Sequence, residues 1–121
     1  DAVEVERYNR FHPNKKPKMS YVQECFKNCV EPIIAATDYI RLQADQIRGY
    51  LPEPYVVLGT DGYGRSDTRK QLRHFFEVDR RYIVQAACKA LMDQGKLSES
   101  EVTKMMKKFG LNPEKPFPLD E

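Results

Sequence analysis

Ile33-Ile34-Ala35-Ala36-Thr37 and Tyr55-Val56-Val57-Leu58 are two short apolar runs, and the second leads directly into Gly59-Thr60-Asp61-Gly62-Tyr63-Gly64-Arg65-Ser66-Asp67. Unbroken apolar runs of this length fit strands buried on both faces, as in a parallel sheet. Between them Ile40, Ala44, Ile47 and Leu51 recur at helical spacing, with Arg41, Asp45 and Arg48 elsewhere on the surface. Thr37 and Asp38 are N-cap candidates for this helix, and Gly49 and Pro52 end it. Strand, helix, strand in that order is a βαβ unit, whose crossover is nearly always right-handed.

Upstream, residues 1–11 read as a short helix with Val3, Val5, Tyr8 and Phe11 as its apolar positions. A basic, proline-containing loop follows, and Ser20 opens a second helix through about Cys29, with Glu24 in its first turn and Pro32 as its breaker. Downstream, a helix begins near Asp67 or Thr68; Thr68 and Gln71 have capping-box spacing, and Leu72, Phe75 and Phe76 form the expected buried face. Asp79 caps the next helix, whose stripe is Ile83, Ala86, Ala87, Ala90 and Leu91 and whose stop is Gly95. Ser98 and Glu101 mark the start of the last helix, with Val102, Met105, Met106 and Phe109 inward and Gly110 at its end. The tail from Pro113 carries three prolines and is expected to be extended.

The expected fold is therefore α/β and helix-rich, with about two parallel strands. Two strands do not make a sheet that helices can cover on both sides. Either further strands lie on residues absent here, or a second chain supplies them, or the chain is a small helical domain around a two-stranded sheet.

The chain has 121 residues, enough for one domain. At 40% hydrophobic and 31% charged residues it is globular rather than disordered. A formal charge of +2 gives no argument for nucleic acid or an anionic membrane. No apolar run reaches the roughly 20 residues of a bilayer span, and the first residues lack a signal-peptide core. Three cysteines, Cys25, Cys29 and Cys88, suggest a reducing compartment. Cys25 and Cys29 with His12 or His74 do not have zinc spacing; the plainer reading is small helix or core residues.

The glycine loop imitates the start of a dinucleotide fingerprint but has Asp67 where the last glycine belongs, and it has no Walker A lysine. Its glycines suit a tight turn; Asp67 or Ser66 would cap the following helix, and Asp61 and Arg65 would pin the loop. The charges from Asp61 to Arg81 are mixed in sign, which fits a solvated face better than a phosphate track. His74 has no nucleophile and orienting acid placed beside it by spacing, and His12 sits in a loop before Pro13. No active site can be assembled from this chain alone.

The blocks Ile34-Ala35-Ala36-Thr37-Asp38-Tyr39, Ala44-Asp45-Gln46-Ile47-Arg48, Val57 to Asp67, and Leu72-Arg73-His74-Phe75-Phe76-Glu77-Val78-Asp79, in that order and spacing, resemble the closing part of homodimeric-type pyruvate dehydrogenases. Glu6-Arg7-Tyr8-Asn9 and His12-Pro13 resemble the family's E-R-W-N and H-P, with Tyr8 in place of the more usual Trp. The resemblance runs from Asp1 to the last helix and is weakest in the tail. It implies a transketolase C-terminal-like, Rossmann-like α/β/α lobe over residues 1–112, incomplete at its N-terminal side, followed by a tail over 113–121. It implies a parent enzyme that decarboxylates pyruvate with thiamine diphosphate and Mg²⁺ and acetylates lipoyl groups, in a bacterial cytoplasm or mitochondrial matrix. The family's cofactor ligands and catalytic residues lie in earlier domains. None carries over to this chain, which is expected to bind no cofactor or metal and to contribute Gly59 to Asp67 as a structural or interface loop. The implied partners are other protein chains or domains. The chain is then a segment of the full enzyme, a separately encoded part of a split enzyme, or a non-catalytic scaffold descended from the lobe.

Overall fold

The computed structural model describes residues 1–61 and 68–118. The loop positions Gly62, Tyr63, Gly64, Arg65, Ser66 and Asp67 lie outside the described residues, as does 119–121; the expected caps at Ser66 or Asp67 and the expected pin at Arg65 lie there too.

The elements run α1 (Ala2–Phe11), α2 (Tyr21–Phe26), β1 (Ile33–Ala36), α3 (Arg41–Asp45), a 3₁₀ turn (Arg48–Tyr50), β2 (Tyr55–Leu58), α4 (Arg69–Phe75), α5 (Arg80–Asp93) and α6 (Glu99–Lys108). Local chemistry sets most of the boundaries. Ser20, 1% exposed, forms a reciprocal capping box with Gln23. Thr68 accepts the Gln71 N–H, Ser98 the Glu101 N–H, and Asp79 those of Arg81 and Tyr82. Gly95 and Gly110 take φ of 78° and 68° where α5 and α6 end, which a side chain would resist. Glu77 takes φ of 61° after α4 without being glycine.

Two expectations about the segment between the strands are corrected. The stripe from Ile40 to Leu51 is not one helix: α3 stops at Asp45 and a separate 3₁₀ turn follows. Ile40 and Ile47 stand exposed, so nothing buries that side of the stripe. Nor does Thr37 or Asp38 cap α3. The Thr37 hydroxyl accepts the Tyr39 N–H, Ile40 takes the cap position without a side-chain bond, and the Arg41 N–H is met by Asp61 from the other side of the sheet end, at 2.9 Å.

β1 and β2 pair in parallel, Ile33 with Tyr55 through Ala36 with Leu58. Alternation sends Tyr55 and Val57 to one face and Val56 and Leu58 to the other. On the first face the Tyr55 hydroxyl donates to the Ala44 carbonyl of α3. On the second, Val56 and Leu58 share a cleft with Ala86 and Ala90 of α5. The sheet thus lies between helices as a partial three-layer α/β/α unit, with α5 against β1 and α6 against α5. Its core is Tyr55, Val57, Val78, Ala86, Ala90, Val102 and Leu111. β1, expected to be covered on both faces, has half-buried residues and an exposed Ala36.

The core is small for the chain. A compact monomer of 14.1 kDa exposes about 6,700 Å², whereas this chain exposes 8996 Å². The surplus, roughly 2,300 Å², is larger than one side of a standard protein interface, about 800 Å².

Candidate functional site

The strand ends carry the motif residues. Gly59 lies against the start of α3: a Cβ there would stand 2.9 Å from both the N and Cα of Arg41, so only glycine fits. Thr60 N–H donates to the Tyr39 carbonyl at 2.9 Å, and its hydroxyl donates to the Asp38 carbonyl. Asp61 meets the Arg41 N–H. Gly59, Thr60 and Asp61 therefore tie the exit of β2 to the exit of β1 and to the start of α3. The pinning role expected of Asp61 holds, but its partner is main chain. Asp38 is bound in turn by Arg73 of α4 at 3.0 and 3.4 Å, and this guanidinium holds the carboxyl below its ordinary range.

Beside these ends a cleft of about 770 Å³ opens between Ala36–Asp38, α4 and the start of α5. Arg69, Lys70, Arg73, Arg80 and Arg81 line it, with Asp38 and Asp79. The acids are committed: Asp79 lies 2.7 Å from Arg81. Burial pushes the Asp79 carboxyl up. The Arg81 guanidinium and the N–H groups of Tyr82 and Arg81 outweigh that and bring it below the ordinary value. Among the described residues Lys70 and Arg80 make no ion pair, while Arg69 adds its charge to that of Arg73 on Asp38.

His74 is half-buried behind this network. Its Nδ1 accepts from Arg81 at 2.7 Å, while Tyr82 and Asp79 stand 3.4 and 4.0 Å away. That lone pair is occupied by a guanidinium. His12 stacks on Tyr8 at 4.1 Å, with Nδ1 2.8 Å from the Tyr8 carbonyl. Cys25, Cys29 and Cys88 are free, and among the described residues no three His, Cys, Asp or Glu side chains stand together as metal ligands.

The two strand edges differ, which the sequence did not reveal. At the outer edge of β2, Tyr55 N–H donates to Glu53 at 2.8 Å and Tyr55 C=O accepts from Arg48 at 2.7 Å. Farther along that edge Phe117 and Pro118 wall a cleft of about 220 Å³ beside Val56–Gly59. Lys115 holds this tail in place through the Phe75 carbonyl at 2.9 Å and Glu77 at 3.2 Å. Asn9 was legible only as part of a motif. Its amide brackets the main chain of Lys18 at 2.8 and 2.9 Å and closes the loop between α1 and α2.

The family model for the transketolase-like C-terminal domain matches residues 3–79. The pyruvate dehydrogenase E1 component of Pseudomonas aeruginosa is 54% identical over 99% of this chain and 14% of that protein. The corresponding protein of Cupriavidus necator is 52% identical over 98% of the chain and 13% of its own length. That of Escherichia coli K12 is 41% identical over the same shares, 98% and 13%. The chain thus spans about a seventh of the length of these relatives, 14% of the first. No helix among the described residues is long and apolar enough to cross a membrane.

Proposed function

We propose, from the premise that this chain belongs to the family of transketolase-like C-terminal domains, that it is the terminal lobe of a pyruvate dehydrogenase E1 component and works there as a structural, dimer-supporting part. Residues 1–112 form the lobe and 113–121 its tail. Pyruvate decarboxylation with thiamine diphosphate, and transfer of the acetyl group to lipoyl carriers, belong to the parent assembly in a reducing compartment, the bacterial cytoplasm. This chain contributes packing, not reacting groups. The observation that carries the reading is the end-to-end match to E1 components, 99% of the chain, joined to a sheet and core too small to stand alone.

A truncated Pseudomonas aeruginosa E1 component, lacking the matching segment, tests it. Co-expression with the chain, or fusion of the chain in place of that segment, should restore a soluble oligomer and pyruvate-dependent turnover. A fusion that assembles no better than the truncated protein would overturn the reading. Recovery of the chain as a monomer that unfolds cooperatively without a partner would do the same.

A further inference from the structure

α4, α5 and α6 end in the same hydrogen-bonded motif. Beyond α5, Gly95 N–H donates to the Met92 carbonyl and Lys96 N–H to that of Leu91, both at 2.9 Å. Beyond α6, Gly110 N–H donates to Lys107 and Leu111 N–H to Met106. Beyond α4, Glu77 N–H donates to His74 at 3.2 Å and Val78 N–H to Arg73 at 2.9 Å. The motif requires a left-handed residue just past the helix, a conformation that glycine takes without strain. α5 and α6 have glycine there, but α4 has Glu77 at φ 61°. A residue with a Cβ is disfavoured at that angle, so the end of α4 calls for a compensating contact that the other two ends do not.

The tail supplies one. Lys115 Nζ donates to the Phe75 carbonyl at 2.9 Å and to Glu77 Oε1 at 3.2 Å, and it lies 5.4 Å from the centre of the Phe75 ring. One ammonium thus serves a carbonyl at the end of α4, where a cation is favoured, and the carboxylate of the strained residue. The Lys115 side chain is only 20% exposed in consequence. A turn at Asn112 aims it: the Asn112 side chain accepts the Glu114 N–H at 2.9 Å, and its carbonyl accepts the Lys115 N–H at 3.2 Å. Past Lys115, Phe117 and Pro118 share a cleft with Phe76, Glu77 and the exit of β2 at Leu58, Gly59 and Asp61. The tail therefore joins the exit of β2 to the elbow between α4 and α5. Arg73, which holds Asp38 at the end of β1, lies two residues before Phe75 in the same helix.

We propose that residues 112–118 are a clasp. Lys115 is its latch and Glu77 its keeper, and closing it fixes α4 together with the tie from Arg73 to Asp38. A charged residue stands in a glycine position because it is the second half of the clasp. This goes beyond the reading of the chain as a lobe of a longer protein: every contact of the clasp lies within the chain, and its latch lies in the tail, where the likeness to the family is weakest.

The test is single-residue amide hydrogen exchange at Val78 in the fusion with the Pseudomonas aeruginosa E1 component. Assembly and turnover of the fusion report the parent reading, and Val78 reports the clasp. Lys115→Met keeps the apolar stem and removes the ammonium, and should speed Val78 exchange by about tenfold or more. Truncation after Asn112 should do the same. The Lys96 amide, at the glycine-ended α5, should stay within about twofold in both variants. Glu77→Gly relieves the strain, so in the Lys115→Met background it should slow Val78 exchange again by about fivefold or more. With the clasp intact the same change also gives up the Lys115 pair, and its effect should be less than about twofold. A Val78 rate unmoved by Lys115→Met in an active fusion overturns the clasp and leaves the parent reading standing. Equal speeding at Lys96 would mean a general loss of stability and also overturns it. Equal slowing by Glu77→Gly in both backgrounds overturns the pairing of latch and keeper.

Discussion

Gly59→Ala is the smallest change that tests the tie between strand ends and α3. A methyl group at this position would lie 2.9 Å from the Arg41 N and Cα and 2.7 Å from its Cγ. The Cγ can swing away, but the two backbone atoms cannot move without shifting the start of α3. That shift also loosens the Arg41 N–H bond to Asp61. Overpacking of this kind costs typically 1–3 kcal/mol, and loss of a hydrogen bond to a charged acceptor adds to it. A destabilisation of about 2–3 kcal/mol follows, equivalent to roughly 30- to 150-fold faster exchange of the Val56 and Leu58 amides when opening is at equilibrium. The assay is native-state exchange in the assembled fusion. Since the clash is with backbone, Arg41→Ala should not rescue Gly59→Ala. Exchange within about threefold of the parent, or rescue by Arg41→Ala, would refute the steric account.

Arg48→Met removes the donor to the Tyr55 carbonyl and should lower stability by about 1–3 kcal/mol, read from the urea midpoint. Asp45→Asn breaks only the exposed Arg48 pair and should cost less than about 0.5 kcal/mol. Asp79 titrates below its ordinary value in the folded chain. Its contribution is therefore present above the unfolded value of about 3.9 and lost as pH falls through the folded value. The stability difference between parent and Asp79→Asn, followed by acid titration of circular dichroism, should shrink below about pH 4; a difference that grows there contradicts the assignment. His74→Gln keeps an acceptor for Arg81 and should leave pyruvate turnover of the fusion within about twofold. Complete loss in a well-folded variant would place His74 in the chemistry after all.

Local signals were legible because they are written in adjacent residues. Ser20, Thr68, Asp79 and Ser98 cap helices through atoms two or three positions away, and Gly95 and Gly110 end them by conformational freedom alone. The stripe from Ile40 to Leu51 misled for the same reason. Its spacing is helical, but a helix of that length is held mainly by packing of its apolar face, and no described element covers Ile40 or Ile47. Asp61 as the partner of Arg41, twenty residues away, could not be read from spacing.

The order of apolar runs in the sequence already determined a parallel β-α-β unit short of strands, and the ordered motif blocks determined its family likeness. Only the tertiary structure decided which outward main-chain groups of β2 are met, those of Tyr55, and where the tail lies beside that strand. That choice depends on Arg48, Glu53 and Lys115 meeting main-chain groups or holding the tail beside them. Hydrophobic pattern specifies that a strand is buried; which of its outward main-chain groups are met depends on where distant polar side chains arrive.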